Sequence, residues 1–151
     1  MYKMNFVEIY TDGSCKGNPG PGGWAAIIKR GDNKSRISGF EKNTTNNRME
    51  LMAAIKGLEA LSKPTKVELY SDSNYLVKGM NNWLVNWKKR YWKTAAQKPI
   101  KNMDLWQSLD KLNQKHQISW NWVKGHSNKI INEECDTIAK LEIEKNIQED
   151  N

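Results

Sequence analysis

Two short stretches of this chain repeat one pattern and end on the same acid. Val7-Glu8-Ile9-Tyr10-Thr11-Asp12 and Val67-Glu68-Leu69-Tyr70-Ser71-Asp72 both read Val-Glu-aliphatic-Tyr-hydroxyl-Asp. As parallel strands in matched register, they would bring Asp12 and Asp72 side by side at their carboxyl ends, on neighbours about 4.8 Å apart. Two carboxylates about 4 Å apart repel by on the order of 4 kcal/mol near a protein surface, so the pairing needs a reason. A shared divalent cation is the simplest one. Taken singly, Asp12-Gly13 and Asp72-Ser73 also read as ordinary turn starters.

Three more residues join this pair. Glu50 falls at the edge of a helical stripe formed by Leu51, Ala54, Ile55, Leu58 and Leu61, away from Lys56 and Glu59, so its carboxylate should face the sheet. The alternative is a capping box with Asn47, three residues earlier. Asp136 is expected near the start of a terminal helix, where an acid alone reads as a favourable first-turn charge. His126 follows a strand in the loop Val123-Lys124-Gly125-His126-Ser127-Asn128. A loop histidine is ordinarily solvated, and it is also the side chain best suited to moving protons near neutral pH.

Elements must exist to position these groups. Alternation predicts strands over Phe6–Thr11, Trp24–Ile28, a weaker Ile37–Phe40, Val67–Ser71 and Ile118–Val123. Helical periodicity predicts helices from Asn47 to the stop at Pro64, through the segment broken by Pro99, over Asp104–Asn113 and over Asn132–Lys145. Gly13–Gly23 reads as a glycine- and proline-rich turn, and residues 147–151 as a frayed tail. Three strands in a row followed by strands alternating with helices predict an α/β fold with a mixed sheet flanked by α-helices. The 151 residues fit one domain, without linker or repeat.

The net charge of +7 comes from 24 Lys and Arg against 17 Asp and Glu. All of it can be assigned to one segment. From Ser73 to Met103 there is no acid, yet the segment holds Lys78, Lys88, Lys89, Arg90, Lys93, Lys98 and Lys101. Trp83, Trp87, Tyr91 and Trp92 are interleaved with them, which suits phosphates together with stacked sugars or bases. The bland alternative makes the tryptophans core anchors and the lysines a solvated face.

Other classes are excluded. The beginning of the chain lacks the apolar run of a signal peptide and no stretch approaches a membrane span, so a soluble, cytoplasmic protein is expected. Cys15 and Cys135 are expected as free thiols. Gly13–Gly20 lacks the Gly-Lys-Ser/Thr of a phosphate loop, and Cys15, Cys135, His116 and His126 lack zinc-ligand spacing.

Thr11-Asp12-Gly13-Ser14-Cys15, Gly17-Asn18-Pro19-Gly20-Pro21-Gly22-Gly23, Thr44-Thr45-Asn46-Asn47-Arg48-Met49-Glu50-Leu51, Ser71-Asp72-Ser73 and Trp122-Val123-Lys124-Gly125-His126 occur in that order. Together, between about Phe6 and Leu141, they resemble bacterial type 1 ribonuclease H. The resemblance implies a ribonuclease H-like fold with a five-stranded mixed sheet, and an endonuclease that cuts the RNA strand of RNA–DNA hybrids. It implies two Mg²⁺ ions, with Mn²⁺ as a substitute, held by Asp12, Glu50, Asp72 and Asp136, with His126 assisting and 5′-phosphate and 3′-hydroxyl products. It places Cys15, Asn18, Asn46, Asn47 and Arg48 on the hybrid's backbone and sugars. Trp83, Asn86, Trp87, Lys88 and Lys89 fall in a basic protrusion, about residues 78–101, that meets the DNA strand. Asn74 stands where a longer Gln is common, and Ser127-Asn128 replaces a small, glycine-containing pair. A monomer without an obligate protein partner is the default expectation. A binding module without chemistry and a DNA-cutting relative such as a resolvase are the competing classes. The four acids speak against the first, and the segments that read a 2′-hydroxyl against the second.

Overall fold

The computed structural model describes residues 5–124 and 130–149. Five strands form one sheet in the order β3-β2-β1-β4-β5. They are β1 (Asn5–Cys15), β2 (Gly20–Arg30), β3 (Asn33–Thr44), β4 (Thr65–Ser71) and β5 (Gln117–Trp122). β2 is antiparallel to both β1 and β3, while β4 is parallel to both β1 and β5. The helices are α1 (Asn46–Glu59), α2 (Asn74–Lys78), α3 (Leu84–Lys89), α4 (Met103–Lys115) and α5 (Ile130–Glu149), with a π-helical segment Gly79–Trp83 joining α2 to α3.

Period-two alternation splits the sheet between two cores. Val7, Ile9, Ala26, Ile28, Val67 and Leu69 point to one face, where they pack with Leu51, Leu58, Leu76 and Trp106. Tyr10, Ala25 and Ile27 point to the other and meet Cys135 and Ala139 of α5. β2 is therefore buried on both faces, which is why its sequence reads as an unbroken apolar run. All five residues of the stripe predicted for α1 are buried.

Several predicted boundaries move. β1 continues to Cys15 and β2 begins at Gly20, so the turn is shorter than Gly13–Gly23. β3 runs for 12 residues instead of the four from Ile37 to Phe40. It is an edge strand, largely exposed, so apolar alternation marks only its middle. α5 starts before Asn132 and remains helical to Glu149, past the onset of the expected frayed tail. Both cysteines are free. Among the described residues, no helix is long and apolar enough to cross a membrane.

Candidate active site

The twin segments are neighbours in the expected register: Val7 pairs with Val67, Glu8 with Glu68, Ile9 with Leu69 and Tyr10 with Tyr70. The Tyr10 and Tyr70 rings stack with centroids 4.9 Å apart. Two residues further along, Asp12 lies on β1, and Asp72 immediately follows β4. The turn beyond β4 is fixed by its backbone: Trp122 Nε1 donates to the Asp72 carbonyl at 3.1 Å and the Val123 amide to the Ser71 carbonyl at 2.9 Å. Ser73 then caps α2, its Oγ accepting from the Leu76 amide at 3.1 Å.

Glu50 reaches the pair from the facing helix. The N-cap of α1 is Thr45, whose Oγ1 accepts from the Arg48 amide at 3.2 Å, so no capping box with Asn47 forms. Glu50 is left free to turn inward, where its carboxylate accepts from the Gly13 amide. That amide also lies 2.9 Å from Asp12 Oδ1. The approach of strand and helix requires glycine here, because a Cβ on Gly13 would sit 2.4 Å from the Glu50 nitrogen. Asp12, Glu50 and Asp72 each offer a carboxylate oxygen, and these atoms all lie within 4.8 Å of one another.

Asp136 occupies the second turn of α5, not the first, and its Oδ2 lies 3.0 Å from Lys140 Nζ. It joins the other three acids, Asn46, Asn47 and Asn74 in lining one cleft of about 430 Å³. His126 lies outside the described residues, as do Ser127 and Asn128.

Buried, closely spaced acids distort one another's titration. Burial, and then the Asp72 charge, push the Asp12 carboxyl up to about 8, although a hydrogen bond with Glu50 works the other way. Glu50 is raised well above the ordinary carboxylate range by burial first, then by the charges of Asp12 and Asp72, against the pull of the Gly13 amide. Asp12 and Glu50 are 8% and 5% exposed, so water solvates neither carboxylate well. No Lys or Arg lines the cleft among the described residues. Oxygen-only donors, an open face at exposed Asp72 and unbalanced buried acid fit a hard divalent cation such as Mg²⁺ or Mn²⁺.

The expected substrate residues fall into two sets. Cys15, Asn18, Asn46, Asn47 and Arg48 gather around the start of α1. Asn18 Oδ1 accepts from the Asn46 amide at 3.2 Å, and Cys15 Sγ lies 3.4 Å from the Thr44 carbonyl. Arg48 is engaged inside the protein, its guanidinium forking onto Asp104 at 3.0 and 2.8 Å and donating to Asn102 Oδ1 at 3.2 Å. In the basic segment, Trp83 and Trp87 are half-buried and form a cluster with Tyr75 and Trp106, whose ring centroids lie 5.0 to 6.0 Å apart. Lys88 pairs with Asp110 at 3.2 Å, whereas Asn86 and Lys89 are exposed.

Sequence reasoning missed Tyr75, Asn102 and Asp104. Tyr75 lines the cleft, and its hydroxyl accepts from Asn102 Nδ2 at 3.0 Å and Trp106 Nε1 at 3.1 Å. The only hint was that Asp104 is the first acid after the acid-free segment.

A cluster of buried acids has little to offer a phosphodiester except the cations it would hold. Fold and cleft together define a metal-dependent nuclease. The family model for RNase H matches residues 4–144. The chain is 56% identical over 146 residues to the ribonuclease H of Hahella chejuensis (strain KCTC 2396), covering 97% of this chain and 99% of that one. It is 55% identical over 143 residues to the ribonuclease H of Caulobacter sp. (strain K31), covering 95% and 93%. LC9-RNase H1, a type 1 RNase H with the type 2 active-site motif, superposes with a TM-score of 0.86 at 30% identity, covering 96% of this chain and 75% of that one. LC11-RNase H1, solved in complex with an RNA/DNA hybrid, shares the fold at 23% identity with a TM-score of 0.72, covering 93% and 99%. The chain belongs to the ribonuclease H family, the endonucleases that cut RNA paired with DNA.

Proposed function

We propose that this cleavage takes place in the cleft of Asp12, Glu50, Asp72 and Asp136, with two Mg²⁺ ions, replaceable by Mn²⁺, and leaves 5′-phosphate and 3′-hydroxyl ends. The observation that carries the reading is the convergence of three carboxylate oxygens from β1, α1 and the end of β4 within 4.8 Å. Bound divalent ions would supply Lewis-acid stabilisation of the phosphate's developing charge and a more acidic water.

The chain's own residues do the rest. Asp12 and Asp72 hold the ions most directly, Glu50 holds one and faces the 2′-hydroxyl, and Asp136 completes the set. His126 carries a proton or helps the product leave. Asn18, Asn46 and Asn47, with Cys15 and Asn74, contact the hybrid beside the cleft, where a 2′-hydroxyl distinguishes RNA from DNA. Arg48 grips the hybrid's backbone on the same surface, and it also ties the first turn of α1 to α4 through Asp104. Trp83, Asn86, Trp87, Lys88 and Lys89 present the basic arm to the DNA strand. The enzyme acts in the cytoplasm as a monomer without an obligate protein partner.

The test is an RNA–DNA hybrid labelled on each strand in separate reactions with Mg²⁺. Cuts confined to the RNA strand, ending in 5′-phosphate, are expected. Cleavage of the DNA strand, or binding without cleavage, overturns the reading.

A further inference from the structure

Among the described residues, four that are not glycine hold a positive φ: Tyr91 (55°), Trp92 (62°), Gln97 (63°) and Asn102 (61°). Bulky L side chains disfavour this left-handed region, and glycine or asparagine ordinarily occupies it. Three of the four have a local reason to be there. Trp92 packs against the main core, Asn102 bonds Arg48 and Tyr75, and Gln97 closes a turn by donating to the Thr94 carbonyl at 2.9 Å.

At Tyr91 the backbone makes a like turn bond, but the side chain gains no burial in return. It is 84% exposed, more than any other large hydrophobic side chain described, and it lies outside the aromatic cluster of Tyr75, Trp83, Trp87 and Trp106. Its backbone is nonetheless firmly held. The Tyr91 amide donates to the Lys88 carbonyl at 3.2 Å, the Trp92 amide to Trp87 at 2.7 Å and the Ile100 amide to Trp92 at 3.0 Å. A fixed turn therefore presents a solvent-facing ring at an unfavourable dihedral. Beside it lies an open hollow of about 480 Å³ lined by Lys89, Arg90, Lys93 and Gln97 as well as Tyr91, with no acid among its lining residues.

We propose that this hollow is a subsite for an unpaired nucleotide flanking the hybrid, with phosphates on Lys89, Arg90 and Lys93 and a nucleobase face on the Tyr91 ring. Charge selects a polyanion, and the ring selects one whose bases are free, because a paired base inside a duplex turns its edges outward and keeps its faces stacked. The inference rests on the reading of the chain as a hybrid nuclease and extends it to substrates with single-stranded ends.

Fluorescence anisotropy of the full chain in EDTA tests it, with a blunt hybrid compared with the same hybrid carrying a four-nucleotide overhang, of DNA in one arm and RNA in the other. Stacking one base is expected to tighten binding of at least one overhang by about five- to tenfold over the blunt hybrid. Tyr91→Gly and Tyr91→Asn should erase that ratio, and Tyr91→Trp should keep it. Since both erasing variants suit a positive φ, their melting temperatures should equal or exceed that of the parent. Equal affinity of the parent for blunt and overhanging hybrids, or a ratio that survives in Tyr91→Gly, overturns the subsite. Failure of the parent chain to cut the blunt hybrid in Mg²⁺ would instead overturn the hybrid-nuclease reading, so the two failures are distinguishable.

Discussion

The acid cleft and the basic arm are built in opposite ways. The cleft gathers residues 12, 50, 72 and 136 from four elements and buries two of their carboxylates. The arm takes its charge from one continuous acid-free stretch and leaves most of its cations in water. Buried like charges are unfavourable in the empty protein, whereas exposed lysines around an aromatic anchor cost the fold little. The cleft's acids thus trade stability for function, and the arm's cations do not.

The sharpest way to break that contrast is Asp12→Asn. Loss of a group proposed to hold the ions should lower cleavage by more than about 100-fold, since even residues behind metal ligands are commonly worth 10- to 100-fold. The same change should stabilise the ion-free protein. A carboxyl raised to about 8 in the folded state stabilises it fully below the unfolded value near 3.8, and that contribution is lost as pH rises through 8. In EDTA, the parent should therefore melt progressively lower from pH 5 to pH 8, and Asp12→Asn should flatten the trend. A variant that is both active and no more stable would remove the basis for the contrast.

For the arm, the expected effect is on affinity and its salt dependence. Lys89→Ala with Arg90→Ala should reduce the slope of log affinity against log salt by about 2, while the maximal cleavage rate at saturating hybrid stays near the parent's. Adding Lys88→Ala should change less than either, because Lys88 is already paired with Asp110, itself nearly buried. An unchanged slope would mean that the arm does not meet phosphate.

The same difference governs how much of each region could be read beforehand. A contiguous patch can be counted directly from the sequence. The cleft was legible only because β1 and β4 repeat a pattern whose register survives in the fold. Glu50 was placed correctly by the helical wheel, but its competing cap was resolved by Thr45, one residue before the helix, which periodicity cannot weigh. Asp136 carried little signal because α5 is apolar on the side facing the sheet for only a few residues, Cys135, Ala139 and Ile143 among them. The partners of Arg48, Asn102 and Asp104, were not legible, since they lie more than 50 residues away and nothing local announces them.

A smaller effect is expected at His116, remote from both regions. The ring is buried, its Nδ1 accepts from the Thr65 amide at 3.1 Å, and burial lowers its pKa below the usual 6.5, helped by Lys115. The neutral form is the one that folds, so its contribution is present above pH 6.5 and shrinks as pH falls below that value. Against the opposite slope set by Asp12, the His116 contribution should make the parent's gain in melting temperature from pH 7 to pH 5 smaller, and His116→Gln should enlarge that gain. A gain of unchanged size in the variant would mean that His116 adds nothing to the pH dependence.

The smallest effect is expected at the Arg48–Asp104 fork, where the cleft's helix meets the start of the helix that follows the arm. The pair is bidentate, but Asp104 is 64% exposed at its side chain, so solvent screening keeps its worth below about 1 kcal/mol. Arg48 holds the Asp104 carboxyl below the ordinary carboxylate value, so the contribution is present above pH 3.8 and disappears as pH falls below it. Asp104→Asn should therefore lower the melting temperature at pH 7 by no more than about 2–4 °C. Because the fork fixes the turn that carries Glu50, the same variant should also lower the maximal cleavage rate more than it weakens hybrid binding in EDTA. If affinity falls and the rate holds, Arg48 contacts the hybrid directly and the fork is only a resting place for its side chain.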